Sequence, residues 1–279
     1  MPYTFSLPAV IVLSFFLLAI WSLFVISFRQ ADKFGVIQQG VTLGQYIKFV
    51  RDPFYFSYLY RSLHVSLFST LAVLLIGYPF AFFLSRSKES VRRILTIILL
   101  VNFLSSYVMR MYAIMLVIGN NGVINRTLQY LNLIDHPIQL MYGEFGVGTG
   151  LTAGALVFMV FCISSVLDQI DRRYEEAATS LGASRYRVFV EVTLPLSIPG
   201  IASGIIIVFL FNLCAFVTPA LLGGGRFEMV SNFVYEQSME LLNFPFAACG
   251  AFVLLVISLF AVFVINRSTE KMVRGTQRS

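Results

Sequence analysis

Charge is what this sequence has least of. Of its 279 residues only 12% are Asp, Glu, Lys or Arg, against 58% hydrophobic. Soluble domains carry about 25% charged residues, so a water-facing fold would lack the polar residues to cover its surface. Disorder is excluded as well, because disordered chains are poor in aromatic residues and this one is 15% aromatic. Cysteine is scarce: Cys162, Cys214 and Cys249 offer no paired framework and no C-x-x-C metal or redox spacing. They read as small packing residues. The two histidines, His64 and His136, lack partners at metal-ligand spacing and read as structural, so no metal site is expected. No G-x-x-x-x-G-K-[ST] loop occurs, and no strand precedes Gly146-Val-Gly148-Thr-Gly150, so no motif for binding ATP is present. No cofactor is expected on this chain. The formal net charge of +6 bears on membrane topology rather than on nucleic acid.

What the chain does have is long apolar runs, with a mean hydropathy of +0.82. About 20 mostly apolar residues cross a bilayer as a helix. Six runs qualify, at about 8–28, 63–83, 94–117, 147–166, 198–218 and 246–265. The expected fold class is an all-α polytopic membrane protein with six transmembrane helices, residues 1–279 forming a single transmembrane domain. Met1 to Leu7 contain no Lys or Arg and no Ala-x-Ala site follows, so the first run reads as a mature helix and not a cleaved signal.

Basic residues orient the set. With both termini cytoplasmic, twelve fall on inner segments: Arg86, Lys88, Arg92, Arg93, Arg172, Arg173, Arg185, Arg187, Arg267, Lys271, Arg274 and Arg278. Eight fall outside: Arg29, Lys33, Lys48, Arg51, Arg61, Arg110, Arg126 and Arg226. The first outer loop runs against the positive-inside rule and every later segment follows it. Gly146-x-x-x-Gly150-x-x-x-Gly154 and Gly200-x-x-x-Gly204 place small residues on single helix faces, where helices approach closely in lipid.

One polar segment, 168–197, is too patterned for a linker. Asp171 can cap a short helix, and Glu175 and Glu176 suit its positive end. Tyr174, Ala177, Ala178 and Leu181 recur at i, i+3, i+4, i+7 as a narrow apolar stripe. Gly182 supplies a left-handed stop. Ser184 can cap a second short helix with Val188, Phe189 and Val192 on its apolar side, which Pro195 and Pro199 end as they start the next span. So short a helix is unstable alone. Its physics allows a groove on a partner, the chain's own helix ends or a lipid surface.

Glu176-Ala177-Ala178-x-x-x-Gly182, followed by Leu194-Pro195 and Pro199-Gly200-Ile201, resembles the EAA signature of permease subunits of binding-protein-dependent ABC importers. In that family the loop is a coupling helix docking on the ATP-binding subunit. The resemblance marks Tyr174, Glu176, Ala177, Ala178, Leu181, Gly182 and Pro195 as coupling residues. Asp52-Pro53-x-Tyr55-Phe56, Gly77-Tyr78-Pro79-Phe80-Ala81, Ile134-Asp135-x-Pro137-Ile138 and Asn243-Phe244-Pro245-Phe246 are similar to the spermidine/putrescine permease subfamily. Phe216 to Gly224 is similar to amine and amino-acid permeases more widely. Asn102 and Leu104 depart from the subfamily's usual proline and aromatic residue.

The resemblance implies a type I ABC importer permease (MetI-like) fold in a bacterial inner membrane, importing a small amine-type solute such as a polyamine. The alternative is the same architecture importing an opine or amino acid. It also implies a homologous second permease, an ATPase dimer carrying ATP and magnesium, and an extracytoplasmic binding protein. This chain would then be a non-catalytic subunit.

The polar residues of the spans bear on a solute path. Arg110 is a lone charge in an apolar run, about 24 Å of helix from Ile94, and either snorkels outward or faces the path. Asn102 and Asn212 either hydrogen-bond a passing solute or bridge two helices. Tyr107, Tyr112, Phe211 and Phe216 are candidates for cation–π contact. No carboxylate lies inside a span and no inverted repeat is evident, which counts against a stand-alone secondary carrier. The later outer loops hold Asp135, Glu144, Glu228, Glu236 and Glu240 against Arg126 and Arg226, an acidic bias that suits arriving amines, a binding protein that presents lysines, or simple solvation.

Overall fold

The computed structural model describes residues 3–31, 37–38 and 40–276, with side chains from residue 10 to residue 270. Lys33 and Arg278, which enter the charge balance above, lie outside the described residues, as do the side chains of Lys271 and Arg274. Among the described residues, six helical stretches are long and apolar enough to span a membrane: Val10–Ser27, Pro53–Arg86, Tyr107–Tyr130, Glu144–Leu167, Arg185–Leu213 and Phe244–Glu270.

In order, the helices are α1 (Tyr3–Ser27), α2 (Gly44–Arg51), α3 (Pro53–Arg86), α4 (Glu89–Leu104), α5 (Tyr107–Ile118), α6 (Val123–Tyr130), α7 (Glu144–Leu167), α8 (Arg173–Ser180), α9 (Arg185–Val188), α10 (Leu194–Leu213), α11 (Val217–Leu222), α12 (Val230–Tyr235) and α13 (Phe244–Thr276). Two compact units emerge, Met1–Arg61 with Glu228–Ile257, and Ser62–Phe227 with Ser258–Ser279.

The first unit is held by an aromatic cluster. Phe49, Phe233 and Phe246 are fully buried; the Phe233 ring sits 5.1 Å from Phe246 and 5.4 Å from Phe49, edge-on or tilted. Tyr55 meets Phe246 at 4.8 Å, and Lys48 Nζ lies 4.9 Å over the Phe246 ring. Gly250 makes room, since a Cβ there would fall 2.7 Å from the Phe233 ring.

The second unit is built on α7 and α10. Lipid gives no hydrophobic drive to helix pairing, so close backbone approach and dispersion decide it. At Gly204 a Cβ would come within 2.5 Å of Met159 Sδ, and at Gly200 within 3.0 Å of Val166 Cβ. On α7, Gly150 is closed in by Leu222 and Thr218, and Gly154 by the Tyr107 ring. Both glycine faces read from the sequence are therefore helix contacts. Val73, Ala81, Ala155, Met159, Val160, Ile163 and Val208 fill the core between them.

Three boundaries differ from the sequence expectation. The run 94–117 is two helices, broken at Ser105–Ser106 in extended backbone. Ser105 Oγ donates to the Asn102 carbonyl at 2.6 Å, the kind of local bond that competes with the helix ladder. The run 198–218 stops at Leu213. Continued past it, a helix would place Pro219 against the carbonyl four residues earlier; restarting as α11 puts Pro219 in a first turn, where no N–H is needed. Pro195 and Pro199 do not end the second short helix. A π-turn, Phe189–Thr193, joins α9 to α10, and Pro195 falls in the first turn of α10 while Pro199 lies inside it.

The spacing around α7 separates two neighbouring glycines. A Cβ on Gly150 would lie 2.4 Å from Leu222 Cδ1 and 2.6 Å from Thr218 Cγ2, whereas one on Gly148 meets nothing nearer than 3.6 Å. Gly150→Val is expected to cost about 1–3 kcal/mol through overpacking and Gly148→Ala nothing, measured as thermal unfolding of the detergent-solubilised protein.

Candidate functional site

The 168–197 segment folds as the two short helices its pattern predicts. Asp171 Oδ1 accepts the Arg173 N–H at 3.0 Å. Gly182 has φ +87°; its N–H reaches the Thr179 carbonyl at 2.9 Å, and the Ala183 N–H reaches Ala178 at 3.1 Å. These paired bonds satisfy the carbonyls at the end of α8 in the manner of a Schellman turn. Ser184 Oγ then accepts the Arg187 N–H at 3.3 Å to cap α9.

The orientation of α8 is the informative feature. None of its residues is buried. Tyr174 is 62% exposed and Leu181, just past its end, 88%; Ala177 is exposed and Ala178 half-buried. Glu176 is exposed too, whereas Glu175 turns inward. Its carboxylate accepts from the Arg86 guanidinium at the end of α3 and from Thr193 Oγ1 in the π-turn at 2.9 Å. Nearby, Arg92 of α4 pairs with Asp168 beyond α7. An amphipathic surface helix normally buries its apolar stripe and solvates its charges. Here an acid is anchored and the stripe faces out.

Sequence reasoning missed Glu175, Arg86 and Thr193 as parts of this site. The available signals were a second acid beside Glu176 and the first charge closing the α3 apolar run.

Of the solute-path residues, four share a cavity of about 410 Å³. Tyr107, Arg110, Phe211 and Phe216 line it together with Phe103 and Phe158. The Tyr107 hydroxyl pairs with Thr218 Oγ1 at 2.6 Å, and its ring lies edge-on to Phe211 at 5.8 Å. The Arg110 guanidinium sits 5.3 Å over the Tyr107 ring and donates to Asn102 Oδ1 at 3.1 Å. Asn102 thus joins the cluster across the α4–α5 break, and the Tyr107 face is already occupied by a cation. Among the described residues, no carboxylate lines this cavity.

Two candidates lie elsewhere. Tyr112 borders a separate cavity with Met115, Met141 and Tyr142. Asn212 is fully buried, and neither amide atom finds a hydrogen-bond partner among the described residues, so it does not bridge helices here. Two of the five outer acids are engaged internally: Glu144 with His64, and Glu228 with the Tyr58 hydroxyl at 3.1 Å. Burial, then Glu228 and Glu240 nearby, holds the Glu236 carboxyl above the usual carboxylate range.

Residues 73–273 match the family of inner membrane components of binding-protein-dependent transport systems. The chain belongs to this family. It is 32% identical over 244 residues, 88% of each chain, to the spermidine/putrescine transport system permease protein PotB of Escherichia coli K12. To the protein of the same name from Haemophilus influenzae it is 30% identical over 252 residues, 90% of this chain and 88% of that one. Among solved structures, a bacterial alginate ABC importer aligns with TM-score 0.77 at 17% identity, covering 96% of this chain and 94% of that one. The MetNI methionine ABC transporter in an inward-facing form aligns with TM-score 0.58 at 16% identity, covering 81% and 98%. The fold is that of ABC importer permeases, and the chain is a multi-pass inner-membrane transport subunit.

Gly182 has open space where a Cβ would go, so only its left-handed backbone is at stake. Gly182→Ala is expected to cost about 1–2 kcal/mol of local strain. Faster amide exchange across 173–188, with an unchanged global melting temperature, would register it.

Proposed function

We propose that this chain is a permease subunit of a type I ABC importer that passes a small amine-type solute, a polyamine first of all, into the cytoplasm. It works beside a homologous second permease, an ATPase dimer that holds ATP and magnesium, and an extracytoplasmic binding protein. Both termini are cytoplasmic, which puts α8 on the ATPase side. The chain itself performs no chemistry.

The observation that carries the reading is the inverted dressing of α8. Tyr174, Ala177 and Leu181 expose an apolar stripe on a helix whose inward acid is tied to α3 and the π-turn. Small residues on such a stripe let another backbone come close, and an exposed apolar patch marks an interaction surface. Glu176, Ala178, Gly182 and Pro195 complete the loop by setting its charge, its close approach, its stop and its passage into α10. The polyamine assignment draws its support from the PotB relatives.

A specific observation favours a second reading of the cargo. Among the described residues, the cavity around Tyr107 presents a cation, Arg110, and no acid. A polycation gains little there, while a solute bearing both an amine and a carboxylate, such as an amino acid or opine, finds a charge partner.

The test is a reconstituted complex with its ATPase and binding protein, assayed for uptake of labelled spermidine, putrescine and amino acids. Ala177 is exposed, so Ala177→Trp is expected to insert and melt as the wild type does. It would weaken ATPase docking by about thirty-fold, the effect of about 2 kcal/mol at a central contact. Wild-type uptake and ATPase stimulation in that variant would refute docking through α8. Uptake of amino acids with polyamines excluded would favour the second cargo.

A further inference from the structure

Nothing in the stripe of α8 explains how a displacement of that helix would reach the membrane. The helix buries none of its own residues, and the turn that follows it contains Gly182 at φ +87° with open space around it. A loop of that kind absorbs motion. Among the described residues, Glu175 is the α8 side chain that hydrogen-bonds to other helical elements, and it does so in two directions at once. One is to Arg86 at the end of α3. The other is to Thr193, fully buried in the π-turn that leads into α10.

Both arms are stiff. The Arg86 and Glu175 side chains are only 18% and 23% exposed, and the guanidinium lies 5.9 Å over the Phe82 ring. Phe82 meets Phe189 edge-on at 5.6 Å. Phe189 meets Tyr78 at 5.8 Å, and the Tyr78 hydroxyl shares a hydrogen bond with Ser197 of α10 at 3.0 Å. The ends of α3 and α10 are thus locked to each other and to a single carboxylate. The Arg92–Asp168 pair ties α4 to the end of α7 without involving α8.

We propose that Glu175 is the positioning residue that transfers displacement of α8 to α3 and α10, through Arg86 and Thr193. The proposal rests on the docking role of α8 and adds to it a division of labour. The outward stripe receives the ATPase, and the inward carboxylate hands its motion to the bundle. A single charge-assisted bond from Arg86 and the Thr193 hydroxyl converge on the same Glu175 oxygen, so a shift of that carboxylate is felt by both, and charge-assisted bonds are the stronger kind.

The experiment uses the reconstituted complex and reads ATPase co-purification, melting temperature and ATP hydrolysed per solute imported. Glu175→Gln is expected to keep co-purification and raise the ATP used per solute about five- to tenfold, within the usual range of a coupling free energy. Thr193→Val, which removes one arm, gives a smaller rise in the same direction. The exchange Arg86→Glu with Glu175→Arg restores much of the ratio. A wild-type ratio in both single variants overturns the proposal. So does loss of co-purification in Glu175→Gln at unchanged melting temperature, because Glu175 would then be a docking residue. Failure of docking through α8 itself is read separately, from Ala177→Trp.

Discussion

In a bilayer two helices gain nothing by hiding apolar surface from one another, because the lipid is as apolar as they are. What remains is how closely their backbones can come. The glycines of α7 and α10 set that distance, and the second unit is arranged around it. With Gly200 and Gly204 against Cys162, Met159 and Val166, the two helices form a stiff pair. The opposite glycines of α7 then admit the Tyr107 ring and α11. The aromatic cavity and the α8 end are both attached to this pair, so its rigidity is a condition for either to have a fixed geometry.

The two ends of the unit use their few charges differently. At the α8 end, Arg86 with Glu175 and Arg92 with Asp168 connect four segments. At the other, His64 with Glu144 links α3 and α7, and the fully buried Asn125 amide bonds the carbonyls of Gly119 and Ile138 at 3.0 Å. Between them the spans hold almost no ionised groups, as the cost of a charge at mid-membrane requires. Arg110 is the exception, and its environment explains it: Asn102 accepts from it and the Tyr107 ring lies beneath it.

That arrangement limits the chemistry the cavity offers. An aromatic wall alone would favour cations, but here the best-placed ring already carries one from its own chain. The cavity is therefore lined by Phe103, Phe158, Phe211 and Phe216 without, among the described residues, an acid to hold an amine in place.

Much of this was legible along the chain. The apolar runs gave the helices, because length and hydropathy are local properties that a bilayer enforces. The glycine spacings gave the contact faces, and Asp171, Gly182 and Ser184 gave the short helices, because caps act within a turn. Local chemistry was also behind the misread boundaries: Ser105 and Pro219 were present in the sequence, but hydropathy averages over such breaks. What no periodicity encodes is which distant side chains meet. Glu175 and Glu176 are adjacent acids with the same helix preference, and only the placement of Arg86 and Thr193 beside α8 turns one inward and leaves the other exposed. The same holds for Arg110, whose partner Asn102 lies across a helix break, and for Tyr112, which packing places outside the cavity its sequence neighbours line. Composition and spacing determined that this chain is a six-span helical bundle with a structured polar loop; the tertiary fold alone decided which of its few polar groups are joined, because those pairings depend on contacts between residues as far apart as Arg86 and Glu175.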